Sequence, residues 1–130
     1  MLARGAMPSR EEAVALFDRR RRAWLAGDVD AYLALWAEDM RFVSPAHPEP
    51  LDRPRFAALV RQSLTAGRPL AFEFLHIATA GDAVLAEWRI AIGRADGERI
   101  EWCGMSVAEV RDGLIHYWRE YWNPADVRVG

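Results

Sequence analysis

The sequence predicts an α+β fold in which three N-terminal helices pack on a curved, mainly antiparallel sheet. Three observations predict it. Apolar residues recur at helical spacing as far as about residue 66, the period changes to two from Leu70 onward, and the period-two runs are separated by glycine-bearing turns. Helices first and a long sheet afterward is an order that lays the helices over one face of the sheet. The chain has 130 residues, the size of one domain, and its 52% hydrophobic content can bury a core without metal or disulfide staples.

Residues 1–8 read as a disordered tail and 9–127 as a single domain. Ser9 opens the first helix, because Glu12 stands three residues after this N-cap candidate, and Val14, Phe17, Trp24 and Leu25 then fall on one face. Gly27 ends that helix near Ala26. Asp28 can cap a second, with Tyr32, Leu33, Leu35 and Trp36 as its apolar positions. Met40 to Ser44 reads as a short strand, and Pro45, Pro48 and Pro50 punctuate an irregular loop carrying His47. Asp52 and Pro54 announce a third helix, Arg55 to about Ala66, with Phe56, Leu59, Val60 and Leu64 on one face. Four strands follow, Leu70 to Thr79, Ala83 to Arg94, Arg99 to Val110 and Leu114 to Trp122. The tight turns between them predict an antiparallel meander.

Composition removes whole reaction classes. All 17 basic residues are Arg and none is Lys, which excludes Schiff-base chemistry, a pyridoxal phosphate anchor and a P-loop. A net charge of -2 offers no global attraction to nucleic acid or an anionic membrane. The single Cys103 cannot form an intrachain disulfide, and His47, His76 and His116 lack the close spacing of metal-ligand pairs, so neither a metal nor another cofactor is expected. Met1 to Arg10 lacks an apolar signal region, and no run approaches a membrane span. The expectation is a cytoplasmic protein that binds no nucleic acid and no membrane.

Several segments together resemble the SnoaL-like branch of the nuclear transport factor 2 superfamily, shared with ketosteroid isomerase and limonene epoxide hydrolase. They are Ala26 to Asp39, Glu87-Trp88-Arg89, Glu101 to Val107, Arg111 to Ile115, and the closing Trp118 to Ala125, where Asn123 replaces the family's usual Asp. The resemblance covers roughly Ser9 to Val127. It implies a cone-shaped fold whose helices and inner sheet face enclose a pocket, with the outer face pairing with a second subunit.

Strand parity then assigns sides. If Glu120 points inward, so do Trp118 and Trp122. Matching to the epoxide hydrolase pattern places Phe42, Ser44, Trp88, Ile90, Trp102 and Gly104 at the pocket, and Phe72 and His76 join them by parity on the preceding strand. Glu87, Arg89, Glu101 and Arg119 share the outer face with alternating signs, suited to cross-strand ion pairs. Cys103, Met105, Val107 and Tyr121 also point outward, more apolar surface than a solvated face requires, which predicts a homodimer through the outer sheet face.

The resemblance does not bring a complete mechanism with it. The isomerase's base position holds Ser44, and its two oxyanion donors correspond to Arg20 and Met105. The hydrolase's Arg and two Asp correspond to Trp88, Ile90 and Glu120, so one carboxylate remains, as Glu. Glu120 is therefore the leading catalytic candidate, since a carboxyl among tryptophans loses hydration and becomes suited to proton transfer; the ordinary alternative is a structural carboxylate. His47 has a pKa suited to acid/base work on a pocket rim, or is an exposed loop residue. Ser44 has no sequence-adjacent His or Asp and reads as a hydrogen-bond partner rather than a nucleophile. Of the run Arg19 to Arg22, Arg20 and Arg21 flank the apolar face; either reaches the pocket, or both lay their stems on that face and send their heads to water. His76 reads as a hydrogen-bonded strand residue aimed inward, and His116 as a rim residue.

The six tryptophans suggest a flat apolar cavity, better fitted to a hydrophobic small molecule than to a sugar or phosphate. The leading functional reading is a cofactor-independent enzyme of isomerase, cyclase or hydrolase type, acting by general acid/base on an apolar substrate. A noncatalytic binder of hydrophobic ligands is the alternative. A third reading is an assembly module whose cone is filled by its own tryptophans.

Overall fold

The computed structural model describes residues 6–130, so the first five residues of the expected tail lie outside the described residues. Helix α1 (Arg10–Ala26) begins where the sequence places it. Ser9 Oγ accepts from the Glu12 N–H, the Glu12 carboxylate accepts from the Ser9 N–H, and Gly27 closes the helix in the left-handed region at φ 68°. Its buried stripe is Ala13, Leu16, Phe17, Arg20 and Ala23. Val14, expected on the buried face, is exposed.

Helix α2 (Val29–Leu33) is shorter than its apolar spacing suggests. The Leu35 carbonyl accepts from the Ile115 N–H, so tertiary pairing captures the backbone and Trp36 enters strand β1 (Trp36–Ser44) rather than the helix. The proline-bearing segment is also a strand, β2 (His47–Leu51), and not an irregular loop. It lies at the sheet edge beside β1, where Pro48 and Pro50 can lack N–H donors without breaking a central ladder. Helix α3 (Arg53–Ala66) is capped by Asp52, whose side chain accepts from the Arg55 N–H, with Pro54 in its first turn.

Strands β3 (Gly67–Ala80), β4 (Ala83–Arg94), β5 (Arg99–Arg111) and β6 (Leu114–Tyr121) form the expected antiparallel meander. Asp112 and Gly113 both adopt positive φ, the requirement of a tight hairpin turn. β1 then joins β6 in parallel, giving the order β2-β1-β6-β5-β4-β3, and β7 (Arg128–Val129) adds to β5. The result is an α+β cone: three helices on an open, mixed, curved sheet.

The core between the layers is aromatic. Phe17 lies 5.0 Å from Phe74 and 5.5 Å from Trp118, and Trp36 lies 4.5 Å from Phe56. On the outer face, Arg89 pairs with Glu73 at 3.0 Å and approaches Glu101 at 4.0 Å, the cross-strand use of charge expected there. One irregularity changes the sides of a strand. Phe74 stands opposite Trp88 but His76 stands opposite Glu87, so two steps on β3 match one on β4. That bulge reverses parity and turns His76 to the outer face, where its Nδ1 meets Glu87 Oε1 at 2.8 Å. His76 is therefore not a pocket residue.

Candidate functional site

Between the helices and the inner sheet face lies a cavity of about 380 Å³. Register accounts for its back wall. Phe72, Ile90 and Trp102 stand side by side on β3, β4 and β5, and Trp88 is opposite Gly104. A Cβ on Gly104 would come within 2.6 Å of the Trp88 ring, so the glycine is the space into which that indole folds. Gly104 thus shapes the cavity from beneath Trp88 and does not line it. Phe42, Ser44 and His47 come from β1 and β2, while Phe56 and Val60 come from α3.

Glu120 reaches the cavity from β6, and its neighbours hold both of its oxygens. The Trp118 indole N–H donates to Oε1 at 3.1 Å and the Trp122 indole N–H to Oε2 at 3.0 Å. Trp118 faces inward as parity expects but is fully buried behind the wall, so it supports Glu120 and, unlike the expected pocket residue, does not line the cavity. Burial pushes the Glu120 pKa up, the Arg20 charge and the two indole bonds pull it back, and the balance is upward.

Of the two arginines that the sequence leaves open, Arg20 is the one that reaches the cavity. It does not send its head to water: it is 4% exposed and lines the cavity. Its guanidinium carbon lies 4.1 Å from the Trp118 ring centroid, 5.1 Å from Phe72 and 5.2 Å from Tyr32. Nε and Nη1 have no hydrogen-bond partner among the described residues. Arg21 instead turns away, donating from Nε to the Phe72 carbonyl at 2.8 Å and approaching Asp18.

Tyr32, an apolar helix position by sequence, lines the cavity beside Arg20. Burial raises the pKa of its phenol; the Arg20 charge opposes the rise, the Glu120 charge reinforces it, and hydrogen bonding from Arg20 opposes it again. Ser106 was also missed. It is buried, faces Glu120 across the β5–β6 ladder, and its hydroxyl has no partner among the described residues. Its parity with Gly104 on the same strand was the available signal. Ser44 is buried and its Oγ accepts from the His47 N–H at 3.2 Å, leaving its proton available. His116 lies beside Asp39, at 3.4 Å, away from the cavity.

Among the described residues, no three His, Cys, Asp or Glu side chains group as a metal site, and no helix is long and apolar enough to cross a membrane.

The same architecture occurs in solved structures. An LEH-like epoxide hydrolase from M. tuberculosis is 25% identical with a TM-score of 0.78, covering 92% of this chain and 88% of its own. The Delta 5-3-ketosteroid isomerase from Mycobacterium sp. is 19% identical with a TM-score of 0.79, covering 92% and 98%. A computationally designed 17-OHP binder is 20% identical with a TM-score of 0.80, covering 92% and 98%. No curated protein gives a match to the sequence. The family model of the SnoaL-like domain matches residues 16–118, from the buried stripe of α1 to the tryptophan behind Glu120, and the chain belongs to that family.

Proposed function

We propose that the chain is a cofactor-independent enzyme that moves a proton on an apolar small molecule, in an isomerisation, cyclisation or hydrolysis, with Glu120 as the general acid/base. The observation that carries this reading is the position of Glu120: a carboxyl at the wall of an aromatic cavity, held in orientation by two indole N–H donors. Its burial costs more than its partners return, so its charged form weighs against stability. That is the condition expected of a group kept for chemistry. An ionised Glu120 takes a proton from the substrate, and its protonated form returns one to another substrate atom, so the carboxyl ends as it began. Arg20, Tyr32 and Ser44 supply donors toward the same space, and His47 stands at its edge. The apolar walls favour a hydrophobic substrate over a sugar or phosphate.

The alternative is a noncatalytic binder, favoured by one observation: both Glu120 oxygens are already hydrogen-bonded, as in a structural carboxylate. Glu120→Gln separates the two. Gln keeps the shape but cannot transfer a proton, so an acid/base role predicts a rate loss of at least about 10²-fold with the fold retained. Unchanged turnover of an active substrate together with a large fall in melting temperature would overturn the catalytic reading. The supporting proposals are a cytoplasmic protein and a homodimer through the outer face, where Met105, Tyr121 and Cys103 are exposed.

A further inference from the structure

We infer that the ligand of this cavity is an apolar organic anion, its charged oxygen bound by Arg20 and its hydrocarbon body lying on the Trp88, Ile90 and Trp102 wall. The inference rests on the cavity being the ligand site, as proposed above, and not on Glu120 being the acid/base. Arg20 carries a guanidinium cation, and a buried charge without hydrogen-bond acceptors for its donors is costly. Its surroundings are ring faces, whose attraction offsets only part of that cost and offers the N–H groups no oxygen. Two of its nitrogens have no acceptor among the described residues while the residue is 96% buried and borders the cavity, its exposure being 4%.

Glu120 does not meet that demand. Among the described residues it is the only carboxylate lining the cavity, its oxygens accept from the Trp118 and Trp122 indoles, and burial favours its neutral form. The other charged side chain of the lining is also a cation, Arg94. A planar guanidinium fork fits a carboxylate oxygen pair better than a lone hydroxyl or ketone. A ring-bearing carboxylate therefore matches both the cation and the flat apolar wall, whereas an uncharged hydrocarbon would leave Nε and Nη1 of Arg20 without an acceptor.

Calorimetric titration of the intact protein at about pH 8 with 2-naphthoate and with uncharged 2-naphthamide tests this. The wild type should bind the carboxylate at least about tenfold more tightly than the amide, a difference of about 1.4 kcal/mol. Arg20→Gln should erase that preference and leave amide affinity within about twofold; Arg20→Lys should restore part of it. A merely structural Arg20 would weaken both probes alike. Equal affinities in the wild type, tighter amide binding, or no saturable naphthoate binding up to about 1 mM would each overturn the inference, and none of these needs a variant that folds. Glu120→Gln should keep the naphthoate preference. Its loss of turnover without any anion preference would spare the acid/base reading and remove only the anion.

Discussion

The Arg20 guanidinium stacks 4.1 Å from the centroid of the Trp118 ring, and the N–H of that same indole donates to Glu120 at 3.1 Å. One fully buried ring thus carries the cation on its face and the carboxylate on its edge. The ring quadrupole suits both, negative on the face and positive at the edge. Arg20 and Glu120 are thus both positioned by a side chain that does not itself reach the cavity.

Trp122 holds the other Glu120 oxygen and lies at the cavity, so Trp122→Phe removes a donor with little loss of core packing. We expect the Glu120 pKa to rise further, since that bond favours the charged form. Stability should fall by about 1 kcal/mol. Carboxyl-carbon NMR titration checks the direction; an unchanged or lowered midpoint contradicts the assignment of the bond.

Glu120 also makes stability depend on pH with a stated sign. Its folded pKa lies above the ordinary 4.5, so the native state holds the proton after the unfolded chain has released it. The contribution is present in full below that ordinary value and is lost as pH rises through the folded pKa. Urea unfolding of wild type and Glu120→Gln across this range should show the wild type losing stability relative to the variant as pH rises. A wild type that gains instead would mean a depressed pKa.

Glu120 was legible in the sequence because β6 runs in unbroken register with β5 from Tyr117 to Tyr121, so period two carries its parity faithfully. His76 was not, because the bulge between Phe74 and His76 leaves no mark that alternation can read. Arg20 was legible only as one of two alternatives. Ala13, Leu16, Phe17, Arg20 and Ala23 form one helical stripe, but a charge in its middle directs attention to the neighbouring Val14 face. An arginine at the centre of an apolar stripe was the signal. Prolines misled the reading of 47–51, since edge position makes a strand possible there and only the assembled sheet shows which segment is the edge.

Gly104→Ala should disturb the cavity wall. The added Cβ meets the Trp88 ring at 2.6 and 2.7 Å and the Tyr121 carbonyl at 3.0 Å, so the indole must leave its place. Overpacking of this kind costs about 1–3 kcal/mol. Chemical denaturation should register that loss, and 2-naphthamide affinity should change as Trp88 moves. A variant as stable as the wild type would show that the wall yields freely.

The outer face makes an assembly prediction. Met105 and Tyr121 stand opposite each other on β5 and β6, both about half exposed, beside the exposed Cys103. Light scattering at micromolar concentration should give twice the 14.7 kDa chain mass, and Met105→Glu should return the monomer by placing a charge in the apolar centre of the face. A wild-type monomer mass would refute the homodimer.

Arg20 and Glu120 are coupled through charge. Arg20 lowers the Glu120 pKa through its charge, although Glu120 bonds the two indoles instead. The attraction exists only while Glu120 is ionised. In a double-mutant cycle of Arg20→Gln and Glu120→Gln, either single change removes this through-space attraction, while the double change removes both groups. The double variant should therefore be more stable than the two single losses predict, by an interaction on the order of 0.5–3 kcal/mol at about pH 8. In acid, below the folded Glu120 pKa, the carboxyl is neutral and the interaction should shrink toward zero. An interaction of the same size at both pH values would identify shared packing around Trp118, not charge, as what links the two residues.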